Sequence, residues 1–206
     1  MSALLEAKGL WKTLGGRIVL RGVDLTLAEG ERIVVLGANG SGKSTLLQLL
    51  ACVVDADEGS LTIPDSVTFG FAPEKPDMPD HLLVGEWLDT VAALRRATPA
   101  EAPFSVDVLR AKPIKMLSLG QRQRVSLASA WIGAPRFLIL DEPTNALDVE
   151  TRAAVMARIS ETTAIVATHD REVAERIATR IIRMEAGAVR AVTDTRGGED
   201  RPALGL

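Results

Sequence analysis

The sequence is poor in the residues that staple or anchor a chain. Its single cysteine, Cys52, can form no disulfide within the chain, and its setting in the apolar run Leu49–Val54 reads as a small core position. Two histidines, His81 and His169, and one thiol make no zinc set at any usual spacing. No apolar run approaches the roughly 20 residues that cross a bilayer. The longest, around Leu46–Val54, is interrupted by Gln48. Met1–Lys8 lacks the basic-then-apolar layout of a secretory leader. The chain is therefore expected to be soluble by itself, with any membrane role exercised through a partner. Positive charge is not in excess either. The 24 Lys and Arg against 27 Asp and Glu leave a net charge of −3, which argues against a dedicated nucleic-acid binder. Arg95–Arg96 and Arg122/Arg124 read as solvated helix faces, and no internal repeat is present.

What is present fits one well-cored domain. The chain has 206 residues, 47% of them hydrophobic and 25% charged. Val23–Leu27 alternates apolar and polar, and Ile18–Leu20 precedes it after a Gly15-Gly16 turn signal. Together they suggest an antiparallel opening section. Ile33–Leu36 and Phe137–Leu140 are apolar at every position, as strands covered on both faces are. Ala164–Ala167 and Arg180–Ile182 are further candidate strands. Helices are expected over Ser44–Val53, Val149–Ile159 and Asp170–Ala178. Two more are expected where Val84, Trp87, Leu88 and Val91, and Val125, Ala128, Trp131 and Ile132, mark apolar faces. Strands alternating with helices imply an α/β sheet. Lys75–Gly133 holds no convincing buried strand and reads as a helical insertion with a loop at Ala97–Pro103. The tail after Gly187, above all Arg196–Pro202, lacks periodicity and is expected to be mobile.

Gly37-Ala38-Asn39-Gly40-Ser41-Gly42-Lys43-Ser44-Thr45 matches G-x-x-x-x-G-K-[ST] between a buried strand and an apolar helix. Glycines let the backbone turn tightly and bring its N–H groups to phosphate oxygens, and the helix that follows adds the positive end of its dipole. Lys43 would charge-pair with the β- and γ-phosphates, Ser44 would ligate Mg²⁺, and Thr45 would hold the α-phosphate. Phe137–Glu142 is a buried strand ending in two carboxylates. Asp141 would bind Mg²⁺ through water, and Glu142 would polarise the water that attacks the γ-phosphorus. These two motifs leave kinases, GTPases and motor ATPases all open.

Leu117-Ser118-Leu119-Gly120-Gln121, just upstream of the acidic strand, resembles the LSGGQ signature of the ATP-binding cassette (ABC) family, with Leu119 replacing one glycine. Ser118 is also a sound helix N-cap, and the two roles agree, because a capped helix start is what an anion needs. The resemblance extends along nearly the whole chain. It implies a P-loop NTPase (RecA-like) parallel-sheet core with an N-terminal antiparallel β section and a short inserted helical subdomain. The implied layout is a single domain over 1–206, with a core of about 1–74 and 134–192, a subdomain of about 75–133 and a mobile tail of about 193–206. It places Trp11 against adenine, Ala146-Leu147-Asp148 as the D-loop, and His169 as the switch histidine at the γ-phosphate. His81 has no such context.

One position departs from the family. Its Q-loop reads Phe71-Ala72-Pro73-Glu74 here, with Glu74 where Gln is usual. Glu74 keeps an oxygen for Mg²⁺ or the attacking water but cannot donate a hydrogen bond while ionised. Some exporter-type cassettes are similar, which gives a faint hint of export. The resemblance implies ATP and Mg²⁺ as ligands. It also implies a second ATPase protomer, joined head to tail, whose Ser118–Gly120 segment and Gln121 complete the site. A separate multi-span permease would hold the protein on the cytoplasmic face of the membrane, and no nucleic acid is expected. The other classes left open are a soluble cassette ATPase that remodels a cytosolic assembly and a nucleotide-dependent interaction module with little hydrolysis.

Overall fold

The computed structural model describes residues 3–97, 102–195 and 200–202. In chain order it contains strands β1 (Ala3–Leu14), β2 (Arg17–Ala28) and β3 (Arg32–Leu36), helix α1 (Lys43–Leu50), and strands β4 (Glu58–Thr62) and β5 (Phe69–Ala72). Helix α2 (Val84–Leu94), two 3₁₀ turns (Val106–Leu109 and Ile114–Met116) and helix α3 (Leu119–Trp131) follow. The chain then alternates β6 (Phe137–Asp141), α4 (Val149–Ser160), β7 (Ala164–Thr168), α5 (Arg171–Ile177) and β8 (Arg180–Glu185), and closes with β9 (Ala188–Asp194) and β10 (Asp200–Pro202).

Two sheets result. One is antiparallel, in the order β2-β1-β4; the other runs β10-β9-β8-β3-β7-β6-β5, with β8 to β5 parallel and β9 and β10 antiparallel. The fully apolar runs are the central strands because both their faces are covered. Ile33, Val35, Phe137, Ile139 and Ile165 face a cluster shared with α1 and the antiparallel sheet. Val34, Leu138, Leu140 and Val166 face α4, α5 and the end of α3. Leu46, Leu47, Leu49 and Leu50 of α1 are all buried between the sheets. At about 1.5–3 kcal/mol for each such side chain, this burial fixes the helix that leaves the glycine-rich loop.

The insertion expected over 75–133 is helical, with its own apolar cluster of residues such as Met78, Leu88, Val106, Ile114 and Val125. Its last helix also belongs to the main core. Leu127 and Ala130 of α3 pack with Leu138 and Leu140, and a Cβ on Gly70 of β5 would lie 1.9 Å from Ala130 O.

Three expectations need correcting. The opening section is longer than read, because β1 spans twelve residues and pairs along most of β2. Residues 193–194 and 200–202 of the expected mobile tail lie in β9 and β10, held by pairing with β8 and with each other. The turn that starts this hairpin has Ala186 and Gly187 at φ 47° and 81°. Cys52 is exposed rather than buried, since α1 stops at Leu50 and the chain turns out with Cys52 at φ 55°. Residues 98–101 of the expected loop, and 196–199 and 203–206 of the expected tail, lie outside the described residues.

Candidate active site

Parallel pairing places the C-terminal ends of the central strands side by side, the usual location for ligands in open α/β sheets. Leu36 pairs with Thr168, Asp141 with Ala167, and Ala72 with Leu140. The residues that follow, Gly37 onward, Glu142, His169 and Glu74, therefore emerge along one edge. Two cavities lie there. One, of about 430 Å³, is lined by Asn39, Gly40, Gly42–Thr45, Glu74, Glu142, Asn145 and His169, with Val19 of β2 at its side. The other, of about 440 Å³, lies against Gly37–Ser41, His169, Arg171 and Arg183.

The loop needs glycine for two separate reasons. Gly40 and Gly42 have φ 79° and 103°, and Gly42 is the residue that starts α1. Gly37 has no room for a side chain, because a Cβ there would lie 2.5 Å from Met184 O and 2.7 Å from Ser41 Oγ. Lys43 is buried, and its ammonium donates to Gly37 O at 2.8 Å and Ala38 O at 3.2 Å. Ser41 Oγ is buried with no hydrogen-bond partner. A closed ring of main chain around a cation and an orphaned hydroxyl suits a polyanion.

Beside the loop, Asp141 is buried and its Oδ1 has no hydrogen-bond partner. Burial holds its carboxyl above the usual carboxylate range; a hydrogen bond from Ser44 opposes this, the charges of Glu74 and Glu142 add to it, and Lys43 offsets part. The orphaned Asp141 oxygen and the Ser44 hydroxyl, with the Glu74 and Glu142 carboxylates nearby, are donors of the hard-oxygen kind that Mg²⁺ takes.

Glu142 has φ 47°, an uncommon conformation for a residue with a side chain, costing on the order of 1–3 kcal/mol. It is held by main-chain bonds from its N–H to Ala167 O and from Asn145 N–H to its own carbonyl. Its buried carboxylate accepts from Thr168 Oγ at 3.1 Å and lies 2.8 Å from His169 Nδ1. An ionised carboxylate only accepts, so against it Nδ1 carries the proton. Asp170 fixes the turn behind His169 by capping α5 and pairing with Arg152 at 2.8 Å.

Not every candidate lies at this edge. Ser118, Gly120, Gln121 and Asp148 line neither cavity. Ser118 caps α3 in a reciprocal arrangement: its Oγ accepts from Gln121 N–H, and Gln121 Oε1 accepts from Ser118 N–H. Asp148 caps α4 through Thr151, whose main-chain and side-chain hydrogen bonds hold its carboxyl below the ordinary range. A Cβ on Gly120 would lie 2.4 Å from Ala146 O, so the signature and D-loop segments touch within one chain. The glycine requirement is therefore steric at Gly120, while Leu119 points outward and is exposed. Trp11 is also absent from both cavities, because its indole packs over Gly22, where no side chain stands in the way. Of this hairpin only Val19 lines a cavity. Leu14 and Ile18, at the tip of the β1–β2 hairpin, are exposed beside Val19.

A phosphate-type strand-to-helix turn flanked by a strand ending in two acids defines a P-loop nucleoside-triphosphate-binding protein. The profile of the family described as ABC transporter matches residues 20–145, more than half of the chain, and the chain belongs to that family. It is 38% identical to an aliphatic sulfonates import ATP-binding protein of Albidiferax ferrireducens, over 90% of this chain and 72% of that one. To a Nod factor export ATP-binding protein of Azorhizobium caulinodans it is 31% identical, over 93% and 67%. Among solved structures it is similar to a dimeric ATP-binding cassette in a post-hydrolysis state bound to ADP and Pi, with a TM-score of 0.81, 26% identity and coverage of 94% and 99%. The fold, the membership and the ATPase class agree with the sequence reading. Import and export proteins both occur among these relatives, so the export hint attached to Glu74 gains no support.

Proposed function

We propose that the chain binds Mg-ATP at the Gly37–Thr45 loop and hydrolyses it as one of two head-to-tail copies, driving a separate permease. The observation that carries this is the split of the motifs. Lys43, Ser44, Glu74, Glu142 and His169 line one cavity, whereas the signature residues line neither. A signature that serves a nucleotide must then serve that of another copy, and the dimeric solved relative supports the same reading.

In this proposal Lys43 exchanges its carbonyl partners for the β- and γ-phosphates, and the loop N–H groups grip the remaining oxygens. Ser44, Asp141 and Glu74 would hold Mg²⁺, which would supply charge that offsets that of the phosphates. Glu142 orients the attacking water and accepts its proton. Thr168 and His169 keep the carboxylate aimed, and for His169 Nε2 to serve the γ-phosphate, whose oxygens only accept, it must carry a proton as well. The base rests on the aliphatic tip formed by Leu14 and Ile18 rather than on Trp11. Most of the rate enhancement comes from positioning and charge.

The permease remains outside this chain, since among the described residues no helix is long and apolar enough to cross a membrane. The ATPase would sit on the permease's cytoplasmic side. Relatives named for import of sulfonates and of sn-glycerol-3-phosphate favour inward transport of a small solute. The test is Glu142→Gln. It should abolish phosphate release and give an ATP-dependent dimer on size exclusion. A fully active monomer would refute the mechanism. Purifying the tagged chain from gently solubilised membranes should bring a multi-span protein with it, and recovery without one would count against the transport role.

A further inference from the structure

Lys112 lies away from both cavities, between the two 3₁₀ turns, and is pinned on each side. Its N–H donates to Leu109 O at 2.8 Å, and its carbonyl accepts from Val84 N–H at 3.0 Å, at the start of α2. Its ammonium donates to Gln121 Oε1 at 2.8 Å. That same oxygen accepts the Ser118 N–H at 3.2 Å, so one amide oxygen is gripped from two directions. Without the lysine, a flexible glutamine at the exposed start of α3 would be held by one long hydrogen bond.

The charge is equally telling. The neighbouring acids are occupied, Asp80 by Arg122 and Asp89 by Arg110, each at 2.5 Å. Glu86 accepts from Leu83 N–H. Among the described residues no carboxylate pairs with Lys112. Nor has the first turn of α3 an acid, although those of α2, α4 and α5 each have one. A cation placed at the positive end of a helix gains nothing from that helix. Its hydrogen bond to Gln121 therefore sets geometry at the expense of local electrostatics, and the repulsion is relieved only when a negative group arrives from outside the chain.

We propose that Lys112 is a positioning residue for the signature segment. Through Gln121 it fixes Ser118 and the start of α3 in the arrangement that closes on the γ-phosphate held by a second copy. This rests on the composite-site reading above. Lys112 does not touch the nucleotide bound by its own chain.

The test uses the Glu142→Gln protein as parent, with Lys112→Met, Lys112→Arg, Gln121→Met and the Lys112→Met/Gln121→Met double variant. Three quantities are measured: melting temperature, affinity of the monomer for a fluorescent ATP analogue, and the ATP concentration that gives half dimer by light scattering. Lys112→Met should leave the first two near parental values and raise the third about tenfold, as expected for one lost hydrogen bond to a charged group. Lys112→Arg should restore it. On Gln121→Met, adding Lys112→Met should have little further effect, because the two act as one unit. Unchanged dimerisation in Lys112→Met, no rescue by arginine, fully additive effects, or a parallel loss of monomer affinity would each overturn the proposal. A parent that stays monomeric at every ATP concentration would instead remove the composite-site reading on which the proposal stands.

Discussion

Replacing Gly120 with alanine tests the contact between signature and D-loop segments directly. The added methyl would lie 2.4 Å from Ala146 O, whereas carbon–oxygen contacts settle near about 3.3 Å, so the two segments must part by about 1 Å. Such overpacking costs about 1–3 kcal/mol. Exchanging glycine for alanine in a helix returns up to about 1 kcal/mol. The net loss of about 0–3 kcal/mol amounts to a fall in Tm of less than about 12 °C for a domain of this length. Function should suffer far more. A displacement of about 1 Å at groups that orient a reacting phosphate can cost a factor of about 100. The assay is steady-state phosphate release across ATP concentrations, with Tm measured on the same samples. Gly120→Ala should fold, bind nucleotide at its own loop and lose most of its kcat. Wild-type turnover with an unchanged Tm would show that the close approach to Ala146 does not constrain the site.

Asp141→Asn should abolish turnover yet raise the Tm of the nucleotide-free protein. Burial holds the native carboxyl above its unfolded value, so its contribution to stability is greatest at low pH and falls as pH rises through that raised value. The variant should show a flatter decline of Tm with pH, and a Tm below wild type at mildly alkaline pH would contradict this. Arg95 is half-buried and its guanidinium donates to Ser129 O, Ala130 O and Ile132 O at the end of α3. Arg95→Met should therefore cost about 2–3 kcal/mol, or roughly 5–10 °C by calorimetry. Leu14→Asp should raise KM for ATP with kcat nearly held, and Trp11→Phe should change neither; the opposite ranking in a kinetic titration would return the base to Trp11.

The parts legible in the sequence were those in which one physical requirement dominates. Ile33–Leu36 and Phe137–Leu140 are buried on both faces, so every position had to be apolar, and both runs are central strands. The glycines at 37, 40 and 42 answer to close approach and positive φ, and Asp141, Glu142, His169 and Glu74 follow strand ends that parallel pairing aligns. Other elements hid because two requirements were superposed. The alternation of β1 is broken by register shifts against β2, which scramble its apolar pattern. β5 is only four residues long and carries Gly70, placed there by Ala130 of α3 rather than by strand chemistry. β9 is half-exposed along its length, so no apolar face announced it. Trp11 stood out by its aromatic identity; it lines neither cavity, while the modest Leu14 and Ile18 hold the exposed tip of the hairpin.

The outward turn at Cys52 also provides an experimental handle. Because this is the chain's lone thiol and solvent reaches it, a nitroxide or fluorophore attaches at one point per copy without engineering. In a symmetric pair, pulsed electron resonance would report one intermolecular separation. That separation could then be followed through nucleotide loading, cleavage and release in the unaltered polypeptide.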